Sequence, residues 1–317
     1  MTDLSPAPLM WIDATRPAAS WHLWGMTLVE RLLREGARQG LRQACVVVDG
    51  DWPFDSTRLR PDLTRLYDLE VHFVTAEKAV HNGSNSLLLC AGDVVHDDRV
   101  LAHLLAVGPG HAVVGEHAAA AHLSAASLQM HLAAGPQAEA AALPGLVATP
   151  LRALGNYVPD LRLTMVPFLE RIGDADDLRR VDHLLFHRTF KGVIDAVARY
   201  GYYHFVRYLT RWLSRTTVSP NLLTLLSIVG VWAAIPCFAT GRLGWGLLSA
   251  WLGVILDSVD GKLARLTINL SDAMGSLEHA AAMPGLGLWF VALGWHLADG
   301  WLLSANPMSV ACWVLVG

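Results

Sequence analysis

Two regimes of hydrophobic patterning divide the chain. Through residue 182, charged residues, prolines and glycines interrupt every apolar run, whereas from Asn221 onward long apolar stretches follow one another. In the first regime a short apolar run covers residues 9–12. Helical periodicity follows over 26–39 and stops at Gly40, and a buried-strand pattern covers 44–48 (ACVVV). Further strands are predicted at 69–75 (LEVHFVT), 86–90 (SLLLC) and 112–114. This alternation predicts a Rossmann-like α/β domain with a parallel sheet and crossover helices. The Ala- and His-rich stretch 116–143 fits a helix or loosely packed strands equally well.

The second regime reads as membrane spans. Residues 221–239 hold 19 positions without a charge, and at 1.5 Å per residue they nearly cover a hydrocarbon core of about 30 Å. Residues 244–256 are too short alone but run on through Asp257, Asp260 and Lys262 to Leu266, giving a helix with a polar end. A third span is predicted at 275–297, and 309–316 begins a fourth apolar stretch, so an all-α polytopic bundle, incomplete at its end, is expected. Arg207, Arg211 and Arg215 precede the first span, only Arg242 lies in the following turn, and Lys262 and Arg265 close the second. The excess of basic residues puts the amino-terminal half and the acidic cluster on the cytoplasmic side of an inner (cytoplasmic) membrane. Residues 1–11 carry Asp3 and two prolines with no basic region before an apolar core, so no signal peptide is expected. Between the regimes, 182–215 has one helical pattern rich in aromatics and Arg, which would set Tyr203, Phe205, Tyr208 and Trp212 at headgroup level. A linker helix packed on the soluble half is the alternative. The expected domains are thus 1–180, a juxtamembrane helix over 181–218, and a membrane domain over 219–317.

Composition narrows the classes. Of 317 residues 53% are hydrophobic and 16% charged, which speaks against a disordered chain and against a wholly soluble one. Lys plus Arg number 24 against 28 Asp plus Glu, a net charge of −4, so nothing marks a nucleic-acid partner. Four scattered cysteines form no CxxC pair, and 14 histidines form no HExxH spacing, so neither a disulfide scaffold nor a zinc site is expected. Asp97 and Asp98 read as a helix start.

The chemistry is concentrated in DSVDGKLARLTINLSDAMGSLEHAAA, residues 257–282. On a helix Asp257, Asp260, Gly261 and Ala264 fall at i, i+3, i+4 and i+7, so both carboxylates share a face beside two small residues. Two carboxylates at a bilayer edge are costly unless paired or metal-bound. Hard oxygen ligands suit Mg²⁺ or Mn²⁺, above all where the metal also meets substrate phosphates. The small residues leave room for a phosphate, and Arg265 could contact its oxygens. An acidic pair that merely caps a span is the competing reading.

DSVDGKLAR resembles the start of the signature of the CDP-alcohol phosphatidyltransferases, Asp-x2-Asp-Gly-x2-Ala-Arg, eight residues, Gly-x3-Asp-x3-Asp, and SPNLLT at 219–224 resembles the entry to that family's first span. The resemblance implies a six-helix membrane enzyme, usually a homodimer. Such an enzyme uses a divalent metal to transfer a phosphatidyl or phospho-alcohol group from a CDP-linked donor to an acceptor hydroxyl with release of CMP, in phospholipid biosynthesis. By that carry-over Asp257 and Asp260 hold metal, while Gly261, Ala264, Arg265, Ser271, Asn221 and Thr224 lie on the CDP donor. The second half of the signature departs from the pattern: Met274 stands for Gly, Glu278 for the third Asp and Ala282 for the fourth. Glu278 could still bind metal. Ala282 cannot serve as the base that the fourth Asp supplies, a contribution typically of about 10²- to 10⁴-fold, and His279 is a weak candidate to replace it.

The soluble half resembles the sugar-phosphate nucleotidyltransferases, in particular the cytidylyltransferase domain of bifunctional inositol-phosphate proteins. GMTLVERLLREGARQG at 25–40 and CAGDVVHDD at 90–98 carry the likeness, with Asp93 in the place of a metal-binding aspartate. Where that family has a glycine-rich loop, this chain has DATRPAASWHLWG, with too few glycines for backbone amides to wrap a triphosphate. A degenerate domain kept for docking or regulation is expected there. The leading reading is a Mg²⁺- or Mn²⁺-dependent transferase; the competing one is a non-catalytic homologue that binds CDP-lipid or a partner enzyme.

Overall fold

The computed structural model describes residues 8–49, 68–75, 86–124, 127, 145–158, 163–190, 201–300 and 307–316. The chain divides into two compact units, Met1–Ile194 and Asp195–Gly317.

The first unit is built on a seven-stranded sheet of β1 (Leu9–Asp13), β4 (Gln43–Val48), β5 (Glu70–Thr75), β6 (Ser86–Ala91), β8 (His111–Val114), β9 (Ala119–Ser124) and β10 (Val147–Pro150). Short pairs, β2 (His22–Leu23) with β3 (Met26–Thr27), β7 (Val94–His96) with β13 (Leu169–Arg171), and β11 (Tyr157–Val158) with β12 (Leu163–Thr164), decorate it. The order is β10-β8-β9-β6-β1-β4-β5. Strands alternate their side chains between two buried faces: Met10 and Ile12 lie in one cluster, Leu9 and Trp11 in the other, and Val46 and Val47 divide likewise. Burial on both faces is what an α/β sheet demands, and it explains why ACVVV is apolar throughout. Helix α1 (Leu28–Arg38) starts where Thr27 accepts the Glu30 amide and packs Val29, Leu32 and Leu33 on the first face. Helix α2 (Asp98–Val107), capped by Asp97 accepting from the Arg99 amide, adds Val100, Leu101 and Leu104.

The sheet is mostly parallel, as expected, with one strand that departs from it. β9 runs antiparallel to both neighbours, β6 and β8, because the Gly115–Ala118 turn, closed by a 2.8 Å amide–carbonyl bond, is too short for a crossover. The ambiguous stretch 116–143 therefore includes a strand; residues 125, 126 and 128–143 lie outside the described residues.

The single helix expected over 182–215 is corrected. Helix α3 (Ala175–His187) belongs to the first unit, and α4 (Tyr203–Ser214) to the second. At the end of α3 the Thr189 hydroxyl donates to the Phe186 carbonyl at 2.6 Å, a local bond that competes with helix continuation; residues 191–200 lie outside the described residues. Phe186 stacks on Trp24 at 5.6 Å, and Arg188 donates to Asp97 at 2.7 Å. The expected boundary at residue 180 thus falls inside α3.

The second unit holds α4, α5 (Pro220–Ala239), α6 (Leu243–Leu266), α7 (Asp272–Leu297) and α8 (Pro307–Val316). Among the described residues α5, α6 and α7 are long and apolar enough to cross a membrane. The starts of α7 and α8 fall two to three residues ahead of those expected. Ser219 caps α5 by accepting the Leu222 amide, with Pro220 in the first turn where its missing N–H costs nothing. α5 and α6 meet backbone to backbone: a Cβ on Gly253 would lie 2.9 Å from Val231 N, and one on Gly230 would lie 2.9 Å from Gly253 Cα. Glycines at such a crossing replace the hydrophobic drive that lipid abolishes with close van der Waals contact. The Ser249 hydroxyl reinforces it by donating to the Gly230 carbonyl at 2.8 Å. α7 docks through Trp289 and Trp232, whose indoles donate to the Val231 and Ala281 carbonyls at 2.7 and 3.0 Å. Ala281 adjoins Ala280, whose carbonyl loses its helical donor to Pro284. On α4 the buried face is Val206, Thr210, Leu213 and Ser214, of which Val206 and Leu213 cluster with Leu223 of α5 and Val259 and Leu263 of α6. Its opposite face exposes Phe205, Tyr208 and Trp212.

Candidate metal centre

The apolar cluster that joins α4, α5 and α6 sets the carboxyl-terminal third of α6 against the start of α5. On that third Asp257 is half-buried and Asp260 is 2% exposed. Across the short turn from α6, Glu278 projects from the second turn of α7, and a carboxylate oxygen from each of Asp257, Asp260 and Glu278 lies within 4.8 Å of the others. Glu278, 18 residues beyond Asp260 in sequence, is thereby gathered beside the two aspartates. Thr224, 5% exposed on the first turns of α5, donates its hydroxyl to the Pro220 carbonyl at 3.2 Å.

The local geometry leaves charge unanswered. One Asp260 oxygen accepts the Gly261 amide, while the other, Oδ2, is buried with no hydrogen-bond partner. Arg265 Nε is buried and unpartnered too. The Arg265 guanidinium folds back over Gly261, where a Cβ would sit 3.2 Å from Nη2, and it feels the charges of Asp260 and Glu278. Three carboxylates, with Arg265 and the Lys262 ammonium as the neighbouring cations and an orphaned oxygen among them, form a set that a divalent cation would complete. The donors are all oxygen, the preference of Mg²⁺ and Mn²⁺. Ligands at about 2.1 Å place opposite oxygens about 4.2 Å apart, close to the observed spread.

The other expected residues fall into place around the trio or away from it. Ala264 is buried on the same face as Asp257 and Asp260, and Asn221 is half-buried in the first turn of α5. Ser271 caps α7 by accepting the Met274 amide at 3.4 Å, so its hydroxyl is engaged with the backbone. His279 is exposed and bonded through Nδ1 to the Gly275 carbonyl at 3.1 Å; it is outside the carboxylate group. Ala282 lies one turn beyond Glu278 on α7.

In the first unit the carboxyl ends of β1 and β6 flank the point where the strand order reverses, the place where open α/β sheets bind ligands. Asp13 ends β1, and Asp93 follows β6. Burial, helped by the charge of Asp93, raises the Asp13 carboxyl above the ordinary range, against two hydrogen bonds from Thr15. Asp93 pairs with Arg16 at 3.3 Å and Arg171 at 3.7 Å. Among the described residues the group of three or more able to share a cation is Asp257, Asp260 and Glu278, and it does not include Asp93. Reasoning from sequence missed both arginines. The loop after β1 packs onto its own core: Ala18, Ala19 and Ser20 are buried, and a Cβ on Gly92 would lie 2.8 Å from Asp13 O and 3.2 Å from Ala19 Cβ.

Comparison with known proteins bears on the second unit. Residues 217–316 match the family described as CDP-alcohol phosphatidyltransferase. That stretch is similar to a CDP-alcohol phosphatidyltransferase domain. It takes in α5 to α8 and the whole acidic trio. The chain is similar to the phosphatidylinositol phosphate synthase of Mycobacteroides abscessus, 31% identical over 90 residues, 28% of this chain. The chain spans 41% of that relative's length. Among solved structures it is similar to the inositol-1-phosphate CTP transferase from T. maritima, with a TM-score of 0.37 and 12% identity over 56% of this chain and 94% of that one. The likeness to that family thus lies in residues 217–316.

Proposed function

We propose that this protein is a membrane transferase that moves a phosphatidyl or phospho-alcohol group from a CDP-linked donor to an acceptor hydroxyl, releasing CMP, in phospholipid biosynthesis. The observation that carries the reading is the convergence of Asp257, Asp260 and Glu278 within a stretch that matches the family. The acceptor oxygen attacks the phosphorus that bears the donor's alcohol, the bond from that phosphorus to the CMP oxygen breaks, and the acceptor proton leaves. Asp257, Asp260 and Glu278 would hold Mg²⁺ or Mn²⁺, which when bound neutralises diphosphate charge and polarises the phosphoryl oxygens. Arg265, folded over Gly261, meets the donor's phosphate oxygens with a planar fork of N–H groups. Gly261 and Ala264 admit the diphosphate to the face of α6. Thr224 and Asn221, at the amino end of α5, add donors and a favourable dipole for an anion. Ser271 lines the same end through the start of α7.

Ala282 removes the family's proton acceptor, so the acceptor proton leaves to solvent or to His279, whose Nε2 remains available while Nδ1 is held by Gly275. The aromatic face of α4 suits the headgroup layer, the basic flanks favour a cytoplasmic first unit with the protein in the inner membrane, and the likeness to the family favours a homodimer. The Arg16 and Arg171 pairing of Asp93, with the packed loop after β1, supports docking or regulation over nucleotide transfer for the first unit.

The test is CMP release and lipid formation by purified protein in lipid. It uses Mn²⁺ or Mg²⁺, CDP-diacylglycerol and acceptors that include inositol phosphate, glycerol 3-phosphate, inositol and serine. Inositol phosphate is the first choice, from the likeness to a phosphatidylinositol phosphate synthase. Wild-type turnover that falls at least about 10²-fold in Asp260→Ala is the expected result. Turnover unaffected by Asp260→Ala contradicts the reading.

A further inference from the structure

The turn that joins α6 to α7 contains a backbone outlier. Ile268 has φ +51°, the left-handed region that a β-branched side chain enters only under constraint. The Thr267 amide donates to the Leu263 carbonyl, and the Asn269 amide to the Ala264 carbonyl, both at 2.8 Å. This is the helix ending in which the left-handed position ordinarily falls to Gly or Asn. Here the side chain is not displaced into solvent, for Ile268 is 3% exposed between buried Thr267 and the half-buried Asn269.

The geometry of the turn decides whether the acidic trio exists. Asp260 lies six residues before Leu266, the end of α6, and Glu278 six residues after Asp272, the start of α7. At 1.5 Å per residue each stands about 9 Å from the turn, so the two carboxylates are level only if the helices leave it in this register. A slip of one residue would rotate Glu278 by about 100° and slide it about 1.5 Å. A glycine in the left-handed position would allow the turn; it would not hold it. A buried isoleucine there both ends α6 and anchors the exit toward α7.

We propose that Ile268 is a positioning residue whose buried side chain locks the left-handed turn that brings Glu278 level with Asp257 and Asp260. The proposal rests on the metal reading of that trio. Its test compares Ile268→Gly and Ile268→Asn, which accept the turn without the anchor, with Ile268→Val, which keeps a branched apolar side chain. Two readouts are taken on the full chain in lipid. One is Mn²⁺ affinity by electron paramagnetic resonance. The other is thiol bridging by dibromobimane of an Asp257→Cys, Glu278→Cys pair, with the four native cysteines replaced by alanine. Mn²⁺ affinity and bridging rate are both expected to fall about tenfold or more in the Gly and Asn variants, with an unchanged or higher unfolding midpoint, and to recover in the Val variant. Wild-type bridging and affinity in Ile268→Gly would overturn the proposal. A loss that tracks a lowered unfolding midpoint would overturn it too, since packing alone would then account for the effect. If the wild type binds no Mn²⁺, the metal reading fails while bridging still decides the role of Ile268.

Discussion

Gly253→Ala tests the helix crossing on which the acidic site is mounted. The added methyl would sit 2.9 Å from Val231 N and 3.1 Å from Ser227 O. Both are backbone atoms of α5, so no side-chain rotation relieves the overlap. An ordinary contact begins near 3.4 Å, so the helices must part by about 0.5 Å, and overpacking of this kind costs about 1–3 kcal/mol. Parting also stretches the Ser249–Gly230 bond of 2.8 Å. Alanine for glycine inside a helix gains up to about 1 kcal/mol of propensity, which would mask part of the loss. Gly244→Ala supplies the reference: it lies on the same helix, with nothing within 4 Å of its added Cβ. Unfolding both variants by SDS titration in mixed micelles, followed by tryptophan fluorescence, should place Gly253→Ala about 1–3 kcal/mol below Gly244→Ala. Equal midpoints for the two variants would refute the backbone contact and, with it, the reason for a glycine on each side of the crossing.

Three further outcomes are expected. Burial, aided by the Asp98 and Asp97 charges and opposed by Arg31, pushes the Glu35 carboxyl from its ordinary 4.5 up to about 8. A raised carboxyl contributes stability that is full below 4.5 and lost as pH climbs toward about 8, at about 1.4 kcal/mol per unit of displacement. Glu35→Gln should therefore flatten the rise in denaturant-induced labelling of buried Cys45 and Cys90 between pH 5 and about 8.5. An unchanged slope would contradict it. Asp97 bonds Arg99 at 2.7 and 2.8 Å and Arg188 at 2.7 Å. Although burial alone would raise it, these arginines hold the Asp97 carboxyl below the usual range. Asp97→Ala strands both cations and uncaps α2, so the same labelling assay should report a loss of about 2–4 kcal/mol; a loss under about 0.5 kcal/mol would show the cluster to be dispensable. Ala282→Asp adds a carboxylate one turn from Glu278 and should raise CMP release about 10²-fold or more if proton removal limits the wild type; unchanged turnover would assign that step elsewhere.

Periodicity made five strands and the α1 helix legible, because burial of both sheet faces writes continuous apolar runs and an amphipathic helix writes a 3.6-residue stripe. It did not make β9 legible: an alanine-rich strand has neither β-branched side chains nor alternation, and only the tight Gly115–Ala118 turn fixes its direction. The helix over 182–215 failed for the opposite reason, since its periodicity persists across Arg188–Phe190 while the Thr189 hydroxyl diverts the backbone. At the candidate site, Asp257 and Asp260 share a face by spacing alone. Glu278 joins them through the conformation of the turn at Ile268 and the docking of α7 on α5, which no pattern of apolar residues specifies. Arg16 and Arg171 reach Asp93 from 77 and 78 residues away, pairings that belong to the strand order.

The central claim is that Asp257, Asp260 and Glu278 together hold one divalent cation. Titration of the full-length protein in lipid with Mn²⁺, followed by electron paramagnetic resonance, tests it most directly. The account predicts a bound-Mn²⁺ signal in the wild type whose affinity falls about tenfold or more in each of Asp257→Asn, Asp260→Asn and Glu278→Gln. Equal Mn²⁺ binding by the wild type and all three variants would contradict it.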